Sequence, residues 1–120
     1  MVNSGNEFSR QRASLPGYQP LYGAPVLVLL SAPADGPFSA VNAALAAENM
    51  LLEATGLGRG SCYLVSSTRA LNGDDKDLAR EAGVPEGYAV QCAVIVGYAA
   101  AENKFTLGKR SKRGKVSYVE

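Results

Sequence analysis

The chain has 120 residues, 47% of them hydrophobic, with 12 basic against 11 acidic side chains and a formal charge of +1. That length allows one domain at most, and the balance carries no global signal for nucleic acid or for a membrane. Histidine and tryptophan are absent and two cysteines occur, too few ligands for a zinc site.

Residues 1–24 hold little periodicity and are rich in Ser, Gly, Pro, Asn and Gln. They read as an irregular arm, with Pro16-Gly17 as a turn. The apolar run Pro25-Val-Leu-Val-Leu-Leu-Ser31 predicts a strand buried on both faces. Residues 32–37 form a loop, and Ser39 is placed to cap the helix that follows.

Residues 38–55 predict that helix. Its period gathers Asn42, Asn49 and Glu53 into a narrow stripe, and nearly every other position is Ala, Leu, Met or Val. A helix apolar almost all round belongs in a core or an interface. Gly56, Gly58 and Gly60 then stop it. Taken alone, this stretch is a buried helix with a glycine cap.

A second strand is predicted over residues 61–66 and a loop over 67–73. Asp74, Asp75 and Asp77 suit the start of a short helix through Ala82, ended by Gly83 and Pro85. Residues 88–98, YAVQCAVIVGY, form the strongest strand. Residues 99–108 are a linker, and a basic segment from Lys109 leads into an edge strand over 116–119. Cys62 and Cys92 both fall in predicted strands and read as buried thiols. The longest apolar run, residues 24–30, falls far short of a bilayer span, and no signal-peptide layout is seen at the N-terminus. The expectation is a soluble, intracellular protein. Pattern alone gives an α+β or α/β layer fold.

Four motifs then occur in order. They are Tyr22-Gly23-Ala24-Pro25 entering a strand, Asn42 through Glu48-Asn49-Met50-Leu51-Leu52 to Gly56-Leu57-Gly58-Arg59-Gly60-Ser61-Cys62, Gly83-Val84-Pro85-Glu86-Gly87-Tyr88 running to Gly97-Tyr98, and the basic cluster Lys109 to Lys115. Together they resemble the C-terminal portion of the nitroreductase family of FMN-dependent NAD(P)H oxidoreductases, from about Tyr22 to Glu120. The resemblance implies an α+β fold, a mostly antiparallel sheet flanked by helices, and an intertwined homodimer in the cytoplasm. It divides the chain into an arm (1–24), a partial nitroreductase-like domain (25–108) and a basic tail (109–120).

Flavin chemistry asks little acid–base machinery of the protein, because the cofactor carries the electrons and the fold supplies position and electrostatics. A chain without histidine is therefore no obstacle. By resemblance, the residues after the Gly-Leu-Gly turn, Tyr63, Leu64, Val65 and Ser66, lie against the flavin ring. Some relatives carry a Glu-Gly pair where this chain has Val65-Ser66. The tail from Lys109 to Lys115 holds five basic residues in seven, leaving seven basic against eleven acidic elsewhere. Such a run by itself reads as a solvated or nucleic-acid-binding tail. The resemblance instead assigns Arg110, Lys112 and Arg113 to the FMN phosphate as charge-assisted donors.

The family's N-terminal Arg-Arg-Ser-type motif and its helices have no counterpart before Pro25. Arg10-Gln11-Arg12-Ala13-Ser14 lies too close to the strand and reads as an exposed loop. The expectation is an incomplete flavin site: a C-terminal piece, a truncated product, or a subunit that needs a partner. The competing reading is a non-catalytic nitroreductase-like assembly protein. A nucleic-acid binder is disfavoured, since the basic cluster has no interleaved aromatics beyond Tyr118 and the rest is net acidic.

Overall fold

A computed structural model of the chain describes residues 11, 14–73, 76–100, 114–115 and 117–119. Six elements follow one another: β1 (Val26–Pro33), α1 (Ser39–Gly56), β2 (Arg59–Leu64), α2 (Ser66–Leu71), α3 (Lys76–Glu81) and β3 (Tyr88–Tyr98). Among the described residues the strands make one antiparallel sheet in the order β1-β3-β2. The valine- and isoleucine-rich β3 is its centre, and this is the predicted α+β arrangement.

The register decides what each face carries. Val28, Leu30, Tyr63, Cys92 and Val94 share one face, because Val28 pairs with Val94, Leu30 with Cys92 and Tyr63 with Val94. α1 covers this face, with Ala43 and Ala47 packed against Cys92 and Val94, and Leu30, Leu51 and Val96 around them. Alanine at these helix positions lets the backbone come close to the sheet. On the other face Leu64, Ala93 and Ile95 form a second cluster with Leu29, and Leu21 and Ala24 of the arm close over it.

The arm holds its shape through successive turns. Tyr18 N–H donates to Leu15 O across Pro16-Gly17, the predicted turn, and Ala24 N–H donates to Leu21 O across Tyr22 and Gly23. Both central residues of the latter turn have positive φ, 54° and 69°, as a type I′ turn demands. Of the Arg10–Ser14 stretch, the described Gln11 and Ser14 are exposed.

Several expectations are corrected. β1 is an edge strand, with Val26 48% and Leu27 38% exposed, so it is not buried on both faces. Ser39 does not cap α1: its Oγ donates back to Pro33 O at 2.7 Å, and Phe38 takes the N-cap position without a side-chain bond. β2 starts and ends two residues earlier than expected, at Arg59 and Leu64. Residues 67–73 are mostly the helix α2 rather than loop. Cys62 is exposed, whereas Cys92 is buried as expected. Residues 117–119 carry no strand.

Helix ends follow the glycine signals. α1 stops where Gly58 turns to φ +67° and its N–H donates to Thr55 O, a conformation that costs a residue with a Cβ about 1–2 kcal/mol. α3 ends in a Schellman motif, with Val84 N–H on Ala79 O and Gly83 N–H on Arg80 O.

Ala47 is fully buried at the helix–sheet contact. Ala47→Asp leaves an unpaired charge there and is expected to remove about 3–5 kcal/mol of stability, against a total of about 5–15 for a domain. Ala46→Asp, on an exposed position, is expected to stay within about 0.5 kcal/mol of the parent. Urea melts of the two variants make the check, and equal midpoints would refute this packing.

Candidate functional site

β2 stops opposite Ala93, midway along β3, whereas β1 runs on until Pro33 pairs with Tyr88 at the end of the sheet. Ala34 N–H donates to Gly87 O at 2.9 Å across this end. β2 leaves the sheet after Leu64, and the chain turns through Val65 into α2.

The four ring-facing residues expected from the sequence are consecutive at this exit, but their side chains differ in use. Leu64 is 7% exposed and packs with Ala93 and Ile95, so it belongs to the core rather than to an open face. Val65 is 55% exposed, and Ser66 is exposed as the first residue of α2. Tyr63 lies on the α1 face opposite Val94. Loss of surrounding water first, and then hydrogen bonding and electrostatic interaction with Cys92, raise its phenol pKa above the ordinary value. Tyr63 therefore stays neutral at physiological pH. A raised phenol pKa adds stability that is present below the unfolded pKa and lost as pH climbs through the folded one.

Three further side chains follow Ser66 in the segment 67–73, where the sequence pattern predicts a loop. Ser67 Oγ is shielded from solvent and has no hydrogen-bond partner among the described residues. A buried hydroxyl without a partner is costly, and a polar ligand edge is one thing that satisfies it. Thr68 behaves differently, since its Oγ1 donates to Val65 O at 2.6 Å and closes the turn on itself. Asn72 reaches β3: its Nδ2 donates to Val90 O at 2.7 Å, and Val90 N–H donates to its Oδ1 at 2.8 Å. Val90 is 2% exposed, and each of its peptide groups left unpaired would cost about 1–3 kcal/mol.

Arg110, Lys112 and Arg113 lie outside the described residues. The exit therefore brings together Tyr63 to Ser66 and adds Ser67. An open turn beside an unsatisfied hydroxyl fits the polar edge of a planar cofactor approached by main chain.

A separate cavity of about 510 Å³ opens at the opposite end of the sheet, lined by Tyr22, Pro25, Gly60, Cys62, Ile95 and Gly97 among others. Gly60 and Gly97 in its lining are a cross-strand pair, with Pro25 packed close over Gly97. Beside it the Arg59 guanidinium stacks 4.7 Å from the centre of the Tyr98 ring. It is distinct from the β2 exit. No helix among the described residues is long and apolar enough to cross a membrane.

No curated protein matches the chain. Solved structures do. A nitroreductase with bound FMN from Bacteroides fragilis is 31% identical at a TM-score of 0.79, over 99% of this chain and 64% of that one. A nitroreductase with bound FMN from Desulfitobacterium hafniense is 25% identical at a TM-score of 0.71, over 100% of this chain and 62% of that one. An FMN-dependent nitroreductase from Clostridium difficile is 28% identical at 0.60, over 81% and 58%. The chain thus spans less than two thirds of the length of these proteins. The sequence profile of the nitroreductase family matches residues 3–98, reaching further into the arm than Tyr22 and stopping at the end of β3. With the α+β fold, the motif order and this match in agreement, the chain belongs to the nitroreductase family.

Proposed function

We propose that the chain is the part of an FMN-dependent oxidoreductase of nitroreductase type that presents the ring-facing turn and the phosphate-binding tail. The substrates of the whole protein are NAD(P)H as hydride donor and a nitroaromatic, quinone or similar acceptor. The observation that carries the reading is the β2 exit, where Val65 and Ser66 lie open beside the unsatisfied Ser67 hydroxyl. The FMN-bound relatives support it. When bound, flavin accepts a hydride and passes reducing equivalents on.

This chain's own residues bind and orient. The main chain at Val65 offers close approach, its side chain supplies an apolar contact, Leu64 anchors the turn in the core, and Ser67 donates its hydroxyl to the polar edge of the ring. Arg110, Lys112 and Arg113 hold the phosphate. A homodimer in the cytoplasm completes the reading, with α1 in its interface.

Ser67→Ala tests the hydroxyl. A neutral hydrogen bond contributes about 0.5–1.5 kcal/mol, so the FMN dissociation constant should rise up to about tenfold with the fold retained. Fluorescence titration of FMN reads this, and an unchanged constant removes Ser67 from the site.

Neutralising Arg110, Lys112 and Arg113 together should weaken FMN binding at least about tenfold, since one bond to a charged group contributes about 1.5–3 kcal/mol. Riboflavin, which lacks the phosphate, should lose no affinity in the same variant. Identical FMN curves for parent and variant would return the cluster to solvent.

A second reading, a non-catalytic assembly protein, draws on the exposed apolar side of α1, where Val41, Leu45 and Leu52 are 58%, 64% and 62% exposed. Purification without yellow colour, together with a stable oligomer, would favour it.

A further inference from the structure

We infer that Asn72 is a positioning residue for the flavin-facing turn, acting as a one-residue stand-in for the strand that β2 stops forming. This rests on the proposed flavin site.

β2 pairs with β3 as far as Leu64 and Ala93. Had β2 run on, Val65 would stand opposite Cys92, Ser66 opposite Gln91 and Ser67 opposite Val90. It does not run on. The Asn72 amide occupies the place the Ser67 peptide would have taken, giving Val90 both an acceptor at 2.8 Å and a donor at 2.7 Å. A primary amide carries the same donor and acceptor pair as a peptide group, so the buried edge of β3 is satisfied without a third strand residue.

Two consequences follow for the site. Residues 65–67 are released from the ladder, so Val65 and Ser66 can turn outward and Ser67 Oγ is left for a ligand. The released turn is nevertheless held at both ends. Leu64 is fixed in the sheet at one end. At the other, Asn72 caps α2, with its own N–H on Thr68 O, and grips Val90 through its side chain. A turn freed from pairing but pinned on either side is what a preorganised contact to a rigid ring requires. Asn72 lies 18 residues from Val90 in the chain, so this is a tertiary clamp and no property of α2 alone.

The test uses the full chain with FMN as probe and compares Asn72→Ala, Ser67→Ala and the double variant. Asn72→Ala is expected to raise the FMN dissociation constant by about as much as Ser67→Ala does, up to about tenfold. In the Ser67→Ala background the same change should cost less than threefold, because the clamp acts through the turn that carries Ser67. Amide hydrogen exchange at Val90 should accelerate at least tenfold in Asn72→Ala. Should that variant not fold, Asn72→Asp, which keeps the acceptor for Val90 N–H and loses the donor to Val90 O, takes its place with the same expected pattern.

Equal FMN losses in both backgrounds, or none in either, would overturn the positioning role and leave Asn72 purely structural. Unchanged exchange at Val90 would overturn the clamp itself, whatever the flavin result. A parent chain that takes up no FMN at millimolar concentration, with Val90 exchange accelerated as expected, would instead sink the flavin-site reading and with it the role assigned to Asn72 there.

Discussion

Replacing Leu45 and Leu52 together by glutamate is expected to turn a dimer into a monomer at micromolar concentration. α1 carries two apolar stripes of identical spacing. Ala43, Ala47 and Ala54 are buried against the sheet, and Val41, Leu45 and Leu52, offset by two residues, lie on nearly the opposite side and are more than half exposed. The inner stripe already has its partner. The outer one has Glu48 among its neighbours and no packing of its own among the described residues. Burying a leucine side chain contributes about 1.5–3 kcal/mol, and a two-fold interface counts each residue twice. The two leucines on two protomers then account for about 6–12 kcal/mol, so the double substitution should raise the dimer dissociation constant by at least about four orders of magnitude. Because both positions face away from the sheet, the circular dichroism spectrum should not change. Sedimentation equilibrium measures the masses. A parent chain that sediments as a monomer, or a variant that stays dimeric, ends the idea.

The second large effect concerns turnover. The 120-residue chain by itself is expected to take up FMN weakly and to show little or no NAD(P)H-dependent reduction of a nitroaromatic or quinone. It spans 64% of the length of the FMN-bound relative from Bacteroides fragilis, and the β2 exit is proposed as only one side of a cofactor site. Holding donor and acceptor in a defined geometry contributes about 7–11 kcal/mol of barrier reduction. A ring that is wet and loosely oriented forfeits most of that, which is a rate loss of several orders of magnitude. Supplying the uncovered stretch of a relative, fused or in trans, should bring back both yellow colour and turnover. Stoichiometric FMN and an ordinary enzymatic rate in the 120-residue chain alone would show that the arm and tail complete the site without help.

Where local chemistry is strong, sequence and structure agree closely. β3 occupies the predicted residues 88–98 because its run of valine and isoleucine satisfies both faces of a central strand at once. α1 lies one residue along from prediction, set by its apolar period and by the left-handed Gly58. The Pro16-Gly17 turn and the end of α3 are likewise local events. The antiparallel arrangement, by contrast, was legible through family resemblance, since spacing alone left α+β and α/β both open.

What only the tertiary structure decided is how the chain leaves the sheet after Leu64. The sequence Val65 to Asn72 has no strong period, so its helix owes little to propensity and more to contacts at a distance: the buried Val90 peptide groups need partners, and Asn72 provides them from 18 residues away. Ser39 looks like a cap by position, yet it faces the Pro33 carbonyl and bonds that instead. Leu64 and Val65 are adjacent apolar residues with no distinguishing mark in the sequence. One is core and the other open only because the strand ends between them. Local composition determined most of the segments that become helix or strand; the pairing of buried peptide groups across the fold determined where strand β2 stops, and therefore where the candidate site begins.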